Sequence, residues 1–276
     1  MLHNELGVAV SIAREGGDML LGEFNRPGGP RRQDAHHAEI DREVERVIRE
    51  RLMERYRRDG FLGEETGRRP PSAGDRWWIV DPNDGTAEFL RGSRGPSVSI
   101  ALVEAGLPRV GVVFAYAAPD DAGDLFAGAE GQGLFRGPGR TAGDPAKLPP
   151  PCQRRGMDAE PRVAVSYAAH RNPQVLEANA AVCAPWGAVP VPGIAYRLAL
   201  AAAGVVRAGV TLTSPRSWDM AGGHALLRSV GGDLFDREGL PVRYEGEHIR
   251  SPSRFYVGGF EADVQELVAR DWESLL

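Results

Sequence analysis

Three short segments of the 276-residue chain place carboxylates where they could act on a common ligand: Gly63-Glu64-Glu65-Thr66, Asp81-Pro82-Asn83-Asp84-Gly85-Thr86 and Ser217-Trp218-Asp219-Met220-Ala221. In the middle segment Asp81 ends an apolar run, Trp77-Trp78-Ile79-Val80, and Asp84 follows within one turn. Two carboxylates held this close raise each other's pKa unless a cation lies between them. Hard divalent cations such as Mg²⁺ take oxygen ligands from carboxylates, carbonyls and water. Gly85 and Thr86 then offer backbone N–H groups which, at the start of a helix, can hold a phosphate. The same segment also suits an ordinary turn, because Asp-Pro and Asp-Gly are common turn pairs. Glu64-Glu65 reads equally as a solvated loop, and Asp219 as the cap of the helix that follows it.

These segments need elements to position them. Leu6, Val10, Ala13, Gly17 and Leu20 mark one face of a first helix. Ile40, Val44, Val47, Ile48, Leu52 and Tyr56 mark a second, whose other side (Arg42, Glu45, Arg46, Arg49, Glu50) reads as solvated. Thr66 to Asp75 reads as a polar loop, and Trp77 to Val80 as a buried strand stopping at Asp81-Pro82. Val98 to Val103 and Val110 to Ala115 form a hairpin around Ala105-Gly106, and Leu125 to Ala127 pairs with Gly133 to Phe135. The Gly/Pro/Arg-rich stretch from Gly137 to Pro161 divides the chain into an N-terminal half, 1–143, a connection, 144–161, and a C-terminal half, 162–276. In the last part, Val163 to Ser166, Val189 to Val191, Val205 to Leu212 and Phe255 to Gly258 read as strands. Ile194 to Ala203 and Asp219 to Val230 read as helices, the latter stopped by Gly231-Gly232. Val264, Leu267, Val268, Trp272 and Leu275 mark a final amphipathic helix.

Together the three segments change the reading. Gly63-Glu64-Glu65, Trp78-Ile79-Val80-Asp81-Pro82-Asn83-Asp84-Gly85-Thr86 and Trp218-Asp219-Met220-Ala221-Gly222 resemble the three signature motifs of the inositol monophosphatase family, in its order and at about its separations. Ile40-Asp41-Arg42-Glu43-Val44-Glu45 resembles the aspartate-bearing helix upstream of the first motif, so the resemblance spans nearly the whole chain. It implies an α/β fold, a layered αβαβα sandwich with the site between an N-terminal α+β half and a C-terminal α/β half. It implies Mg²⁺-dependent hydrolysis of a small-molecule phosphomonoester, with two or three ions, by a homodimer. Glu64, Asp81, Asp84, Asp219 and the carbonyl of Asn83 would be metal ligands. Thr86 and Glu64 would activate water, supported by Asp41, and Asp84, Gly85 and Thr86 would bind phosphate.

The chain departs from the family pattern in places. Asn83 stands at a usually aliphatic position, Ala38 where a threonine is common, and Ile194 and Ala195 replace small polar residues in Pro192-Gly193-Ile194-Ala195-Tyr196-Arg197. That last region would help form the substrate pocket, so an inositol-type substrate is not required. Ala87-Glu88-Phe89 after Thr86 resembles the branch that acts on 3′(2′),5′-bisphosphate nucleotides, and Arg197 or Arg216 could fork onto a polar substrate group. A regulator that binds a phosphorylated metabolite without turning it over is the alternative of another class. Composition narrows the rest. A net charge of −5 with no basic stripe excludes a nucleic-acid footprint. Two cysteines, Cys152 and Cys183, form neither a disulfide framework nor a zinc motif. No basic leader or membrane-length apolar run is visible, so a cytoplasmic protein with no membrane or nucleic-acid partner is expected.

Overall fold

The computed structural model describes residues 2–34, 37–140, 147–150, 152, 161–245, 252–272 and, by backbone alone, 248–249. Most of the 144–161 connection and Leu275 of the final amphipathic stretch lie outside the described residues. The first half runs α1 (His3–Phe24), α2 (Glu39–Arg55), β1 (Gly60–Gly63), β2 (Gly67–Arg69), β3 (Arg76–Asp84), α3 (Thr86–Phe89), β4 (Ser97–Glu104), β5 (Leu107–Ala115), β6 (Asp124–Ala129) and β7 (Gly133–Pro138). The second runs β8 (Arg162–Ser166), α4 (Ala168–Arg171), α5 (Pro173–Cys183), β9 (Gly187–Val191), α6 (Ile194–Ala202), β10 (Ala208–Thr211), α7 (Ser217–Ser229), β11 (Asp233–Phe235), β12 (Tyr244–Glu245), β13 (His248–Ile249), β14 (Tyr256–Gly259) and α8 (Glu261–Val268).

Two large sheets result, ordered β2-β1-β3-β4-β5-β6-β7 and β11-β14-β10-β8-β9, and β12 pairs with β13 separately. Strand side chains alternate between faces, and β3 shows the consequence. Trp78 and Val80 join Leu6, Val10, Val44 and Ile48 in a core under α1 and α2. Trp77 and Ile79 join Leu198, Met220 and Leu226 in a core under α6 and α7. A third cluster packs Val163, Val165 and Val210 of the second sheet against Cys183, Val264, Leu267 and Trp272. The layers are thus α1/α2, first sheet, α6/α7, second sheet, α5/α8, which is the αβαβα sandwich expected.

The β4–β5 hairpin turns through Ala105 (φ 50°) and Gly106 (φ 75°), the double left-handed pair that matches strand twist. α7 ends in a Schellman motif, with Gly232 N–H on the Leu227 carbonyl (2.9 Å) and Gly231 at φ 85°. Some boundaries differ from the sequence reading. β3 does not stop at Asp81-Pro82 but continues to Asp84, with a bulge where Asp81 faces Ser99 and Asp84 faces Ser97. Proline has no N–H for the ladder, and a bulge absorbs it. The expected strand from Val205 shortens to Ala208–Thr211, because Gly204 to Arg207 is a turn. The polar loop after Thr66 contains β2, antiparallel to β1. The last helix ends at Val268, and buried Trp272 lies beyond it.

Candidate active site

A cavity of about 490 Å³ opens between the two halves. Glu64 just past β1, Asp81, Asn83 and Asp84 on β3, Gly85 at the N-cap of α3 and Thr86 at its start, and Asp219 on α7 all line it. It also lies past the carboxyl ends of β8, β9 and β10, at Ser166, Pro192 and Thr211, where open α/β sheets take their ligands.

The middle motif is wired internally. Asp81 Oδ1 accepts from the Asn83 N–H (2.8 Å), and Thr86 Oγ1 lies 2.9 Å from the Asn83 carbonyl and 3.0 Å from Asp41 Oδ2. Asp41, 2% exposed on α2, also accepts from the Asn83 side-chain amide (2.9 Å), whose oxygen accepts from the Tyr116 hydroxyl (2.6 Å). The sequence reading gave a role only to the Asn83 carbonyl. The side chain is itself a bridge between α2 and β5, a pairing of distant polar groups with no local signal.

Asp84 reaches across the cavity. Its Oδ2 accepts from the Ala195 N–H (2.6 Å) in the first turn of α6. The approach depends on Gly193, at φ 64° and ψ 137°, where a Cβ would lie 2.6 Å from Asp84 Oδ2. Asp219 caps α7 as expected of a helix-start aspartate: its Oδ2 accepts from the Arg216 N–H (2.6 Å). Glu64 is held from below. Glu45 is fully buried and accepts from the N–H groups of Glu65 (2.9 Å) and Thr66 (2.5 Å). This corrects its assignment to a solvated helix face. A Cβ on Gly63 would collide with the Glu45 carboxylate, so glycine there is what admits it.

The electrostatics follow from this crowding. Desolvation and then the charge of Asp219 raise Asp84 to about 7. Desolvation, partly offset by the Arg216 N–H, raises Asp219 to about 6. Burial and then Glu64, Asp84 and Asp219 push Asp81 well above the carboxylate range. Desolvation and then Asp219, Glu65, Asp84 and Asp41 raise Glu64 to about 8, although its side chain reaches solvent and water screens part of that push. Asp41 rises to about 6 by burial. One buried cation faces the group. Arg197 is lowered by desolvation to about 10, and its N–H groups are engaged by the Gly193 carbonyl (2.9 Å) and the Val210 carbonyl. It lines the cavity as a fixed charge, not as a free fork. Arg216 is exposed at the start of α7 and is not part of the cavity lining.

Glu88 and Arg171 in the lining pair with each other, which leaves Glu64, Asp81, Asp84 and Asp219 against Arg197, an excess of negative charge with oxygen donors, the donor chemistry of a hard divalent cation. Among the described residues no three His, Cys, Asp or Glu side chains are already gathered as a metal cage. The carboxylates face the same space from separate elements. His224 is fully buried between Tyr244 (3.1 Å to its hydroxyl) and Asp233, and both cysteines are free thiols. No helix among the described residues is long and apolar enough to cross a membrane.

Comparison with known proteins agrees with this geometry. A histidinol-phosphatase from Chlorobaculum parvum is 28% identical over 254 residues, 90% of this chain and 91% of that protein. An inositol-1-monophosphatase from Rhizobium meliloti is 32% identical over 204 residues, 73% and 72% of the two chains. The solved structure of CysQ from Bacteroides thetaiotaomicron shares the fold, with a TM-score of 0.72 at 22% identity over 95% of this chain and 98% of that one. The sequence model of the inositol monophosphatase family matches residues 1–272. The chain belongs to the inositol monophosphatase family, a family of metal-dependent phosphoric monoester hydrolases.

Proposed function

We infer that this chain hydrolyses a small phosphorylated metabolite with Mg²⁺, two or three ions, in the cavity between 1–143 and 162–276. The observation that carries the reading is the meeting of Glu64, Asp81, Asp84 and Asp219 from three elements on one cavity, with every carboxyl raised. These side chains and the Asn83 carbonyl would hold the ions. Bound there, Mg²⁺ supplies Lewis acidity for the phosphoryl oxygens and the leaving alkoxide.

The chain's own residues do the rest. The Gly85 and Thr86 N–H groups orient the phosphate. Thr86 Oγ1, donating to Asp41 Oδ2, keeps its lone pairs for a hydrogen bond from the attacking water. Glu64 takes that water's proton as the general base. Water oxygen bonds to phosphorus, the ester P–O bond breaks, the alcohol oxygen leaves and takes a proton from solvent water, and Glu64 releases its proton to solvent. No side-chain nucleophile is needed, consistent with two cysteines placed elsewhere. A metabolite-binding regulator would need no complete carboxylate set, so its presence favours turnover. A cytoplasmic homodimer is the setting we propose.

Calorimetric titration of Mg²⁺ into chelator-stripped protein tests the metal assignment. Two or three sites are expected, with at least one lost in Asp219→Asn. Absence of binding to the wild type, or full binding to the variant, would contradict it.

A further inference from the structure

Tyr116, just past β5, has no solvent exposure, and Asn83 on β3 is 1% exposed. Burying a phenol hydroxyl and an amide is costly unless each finds a partner. Here they find each other. The Tyr116 hydroxyl donates to Asn83 Oδ1 (2.6 Å), and Asn83 Nδ2 donates to Asp41 Oδ1 (2.9 Å). An amide has one acceptor end and one donor end, and its neighbours decide which way it lies. Reversed, Asn83 would set its oxygen against the Asp41 oxygen, acceptor against acceptor. Tyr116 does not line the catalytic cavity, so it reaches the reaction only through Asn83.

The far end of this chain of hydrogen bonds is a choice. Thr86 Oγ1 carries one proton and has two acceptors in reach, the Asn83 carbonyl at 2.9 Å and Asp41 Oδ2 at 3.0 Å. Given to the carbonyl, the proton occupies an oxygen that a cation would need, and Asp41 does nothing. Given to Asp41, it leaves that carbonyl open and both Thr86 lone pairs free for water. The two distances are nearly equal, so distance does not decide. A carboxylate is the stronger acceptor, but only when its oxygen is aimed at the donor. Asn83 Nδ2, by holding Oδ1, fixes the rotation of the Asp41 carboxylate and aims Oδ2 at Thr86. Tyr116 is itself packed edge-on against Phe89 of α3, the helix that Thr86 starts (ring centroids 6.3 Å apart), so both ends of the chain are tied to one element.

We propose that Tyr116 and the Asn83 side chain are positioning residues for the attack of water: they hold the Asp41 carboxylate so that the Thr86 proton goes to Asp41 and not to the Asn83 carbonyl. The inference rests on the phosphatase reading of the catalytic cavity. Neither side chain needs to touch the ester, and no bond to either is made or broken. Their loss should therefore weaken the attack step and the cation's hold on the carbonyl, while the Gly85 and Thr86 N–H groups still receive the phosphate. Both effects must pass through the Thr86 hydroxyl, which separates this role from a general loosening of the fold.

The test is a double-mutant cycle with two readouts. Tyr116→Phe and Asn83→Leu are each made alone and together with Thr86→Val. Phosphate release in Mg²⁺ is measured on an ester panel (histidinol phosphate, adenosine 3′,5′-bisphosphate, inositol 1-phosphate and glycerol 2-phosphate), using throughout the ester that the wild type turns over best. Calorimetry of Mg²⁺ into chelator-stripped protein gives Kd without depending on turnover. Tyr116→Phe and Asn83→Leu should each lower kcat about tenfold, with KM changed by about twofold or less, the scale of one misdirected hydrogen bond. Each should raise the Mg²⁺ Kd by about threefold or more. On the Thr86→Val background neither should move kcat or Kd by more than about twofold, because no hydroxyl proton is left to direct. Tyr116→Phe deletes a single oxygen, so it carries the test if Asn83→Leu does not fold. Phosphate release by the wild type with equal losses on both backgrounds, or with no loss in Tyr116→Phe, would overturn the inference and leave the phosphatase intact. No release by the wild type with the Kd cycle as expected would sink the phosphatase reading and uphold the direction of the Thr86 proton. Neither release nor a non-additive Kd cycle would sink both.

Discussion

At the residue scale, charge and shape separate cleanly at Asp84. Asparagine would keep an oxygen for the Ala195 N–H but lose the charge a cation needs. Asp84→Asn should therefore lower kcat by at least about a hundredfold, the usual scale for removing one preorganised electrostatic group. Its melting temperature in EDTA at pH 8 should stay at or above that of the wild type, because a raised carboxyl has been relieved. An active Asp84→Asn enzyme would remove the assignment. Glu45 makes the converse case. Glu45→Ala would strand the buried N–H groups of Glu65 and Thr66, at a cost of about 2–4 kcal/mol in a denaturant melt. Mg²⁺ affinity should fall with it, because Glu64 loses its support. Unchanged stability would show that the carboxylate holds nothing in place.

At the scale of elements, the α6 start is the sensitive joint. Gly193 has backbone angles close to a region that only glycine occupies freely, and its missing Cβ admits Asp84. Gly193→Ala should cost about 1–3 kcal/mol and lower kcat more than stability alone explains; retained kcat would contradict the joint. Elements with strong periodicity were legible in the sequence: the faces of α1 and α2, the β4–β5 hairpin, and the glycine stop of α7. The candidate-site segments were ambiguous one by one, each suiting a turn, loop or cap, and became legible only through their joint resemblance to the three family motifs. What escaped was set by distant partners. Glu45 reads as surface beside Arg46 and Arg49, and only the loop folding over α2 buries it. Asn83 meets Asp41 and Tyr116 across 42 and 33 residues. α5 carried a legible start signal in Asn172-Pro173, but its weak apolar pattern hid it. That weakness has a physical cause, since one of its faces lines a cavity beside the catalytic one and not a core.

At the scale of the whole molecule, two halves meet over like charges. Asp41 and Asp219 near 6, Asp84 near 7 and Glu64 near 8 all lie above their ordinary values of about 4. A carboxyl raised on folding stabilises the fold below its unfolded pKa and loses that contribution as pH climbs through its folded one. Chelator-stripped protein should thus lose melting temperature steadily between about pH 5 and 8, and Mg²⁺ should restore it most at pH 8. A melting temperature that rises over that range in EDTA would contradict the crowding of these acids. The most direct measurement of the central claim is phosphate release from the ester panel in Mg²⁺ and in EDTA, with Asp84→Asn beside the wild type. Release by the wild type in Mg²⁺ alone, and none by the variant, is the expected result. Release that persists in EDTA, or none from any ester by a folded protein in Mg²⁺, would contradict metal-assisted phosphomonoester hydrolysis at this cavity.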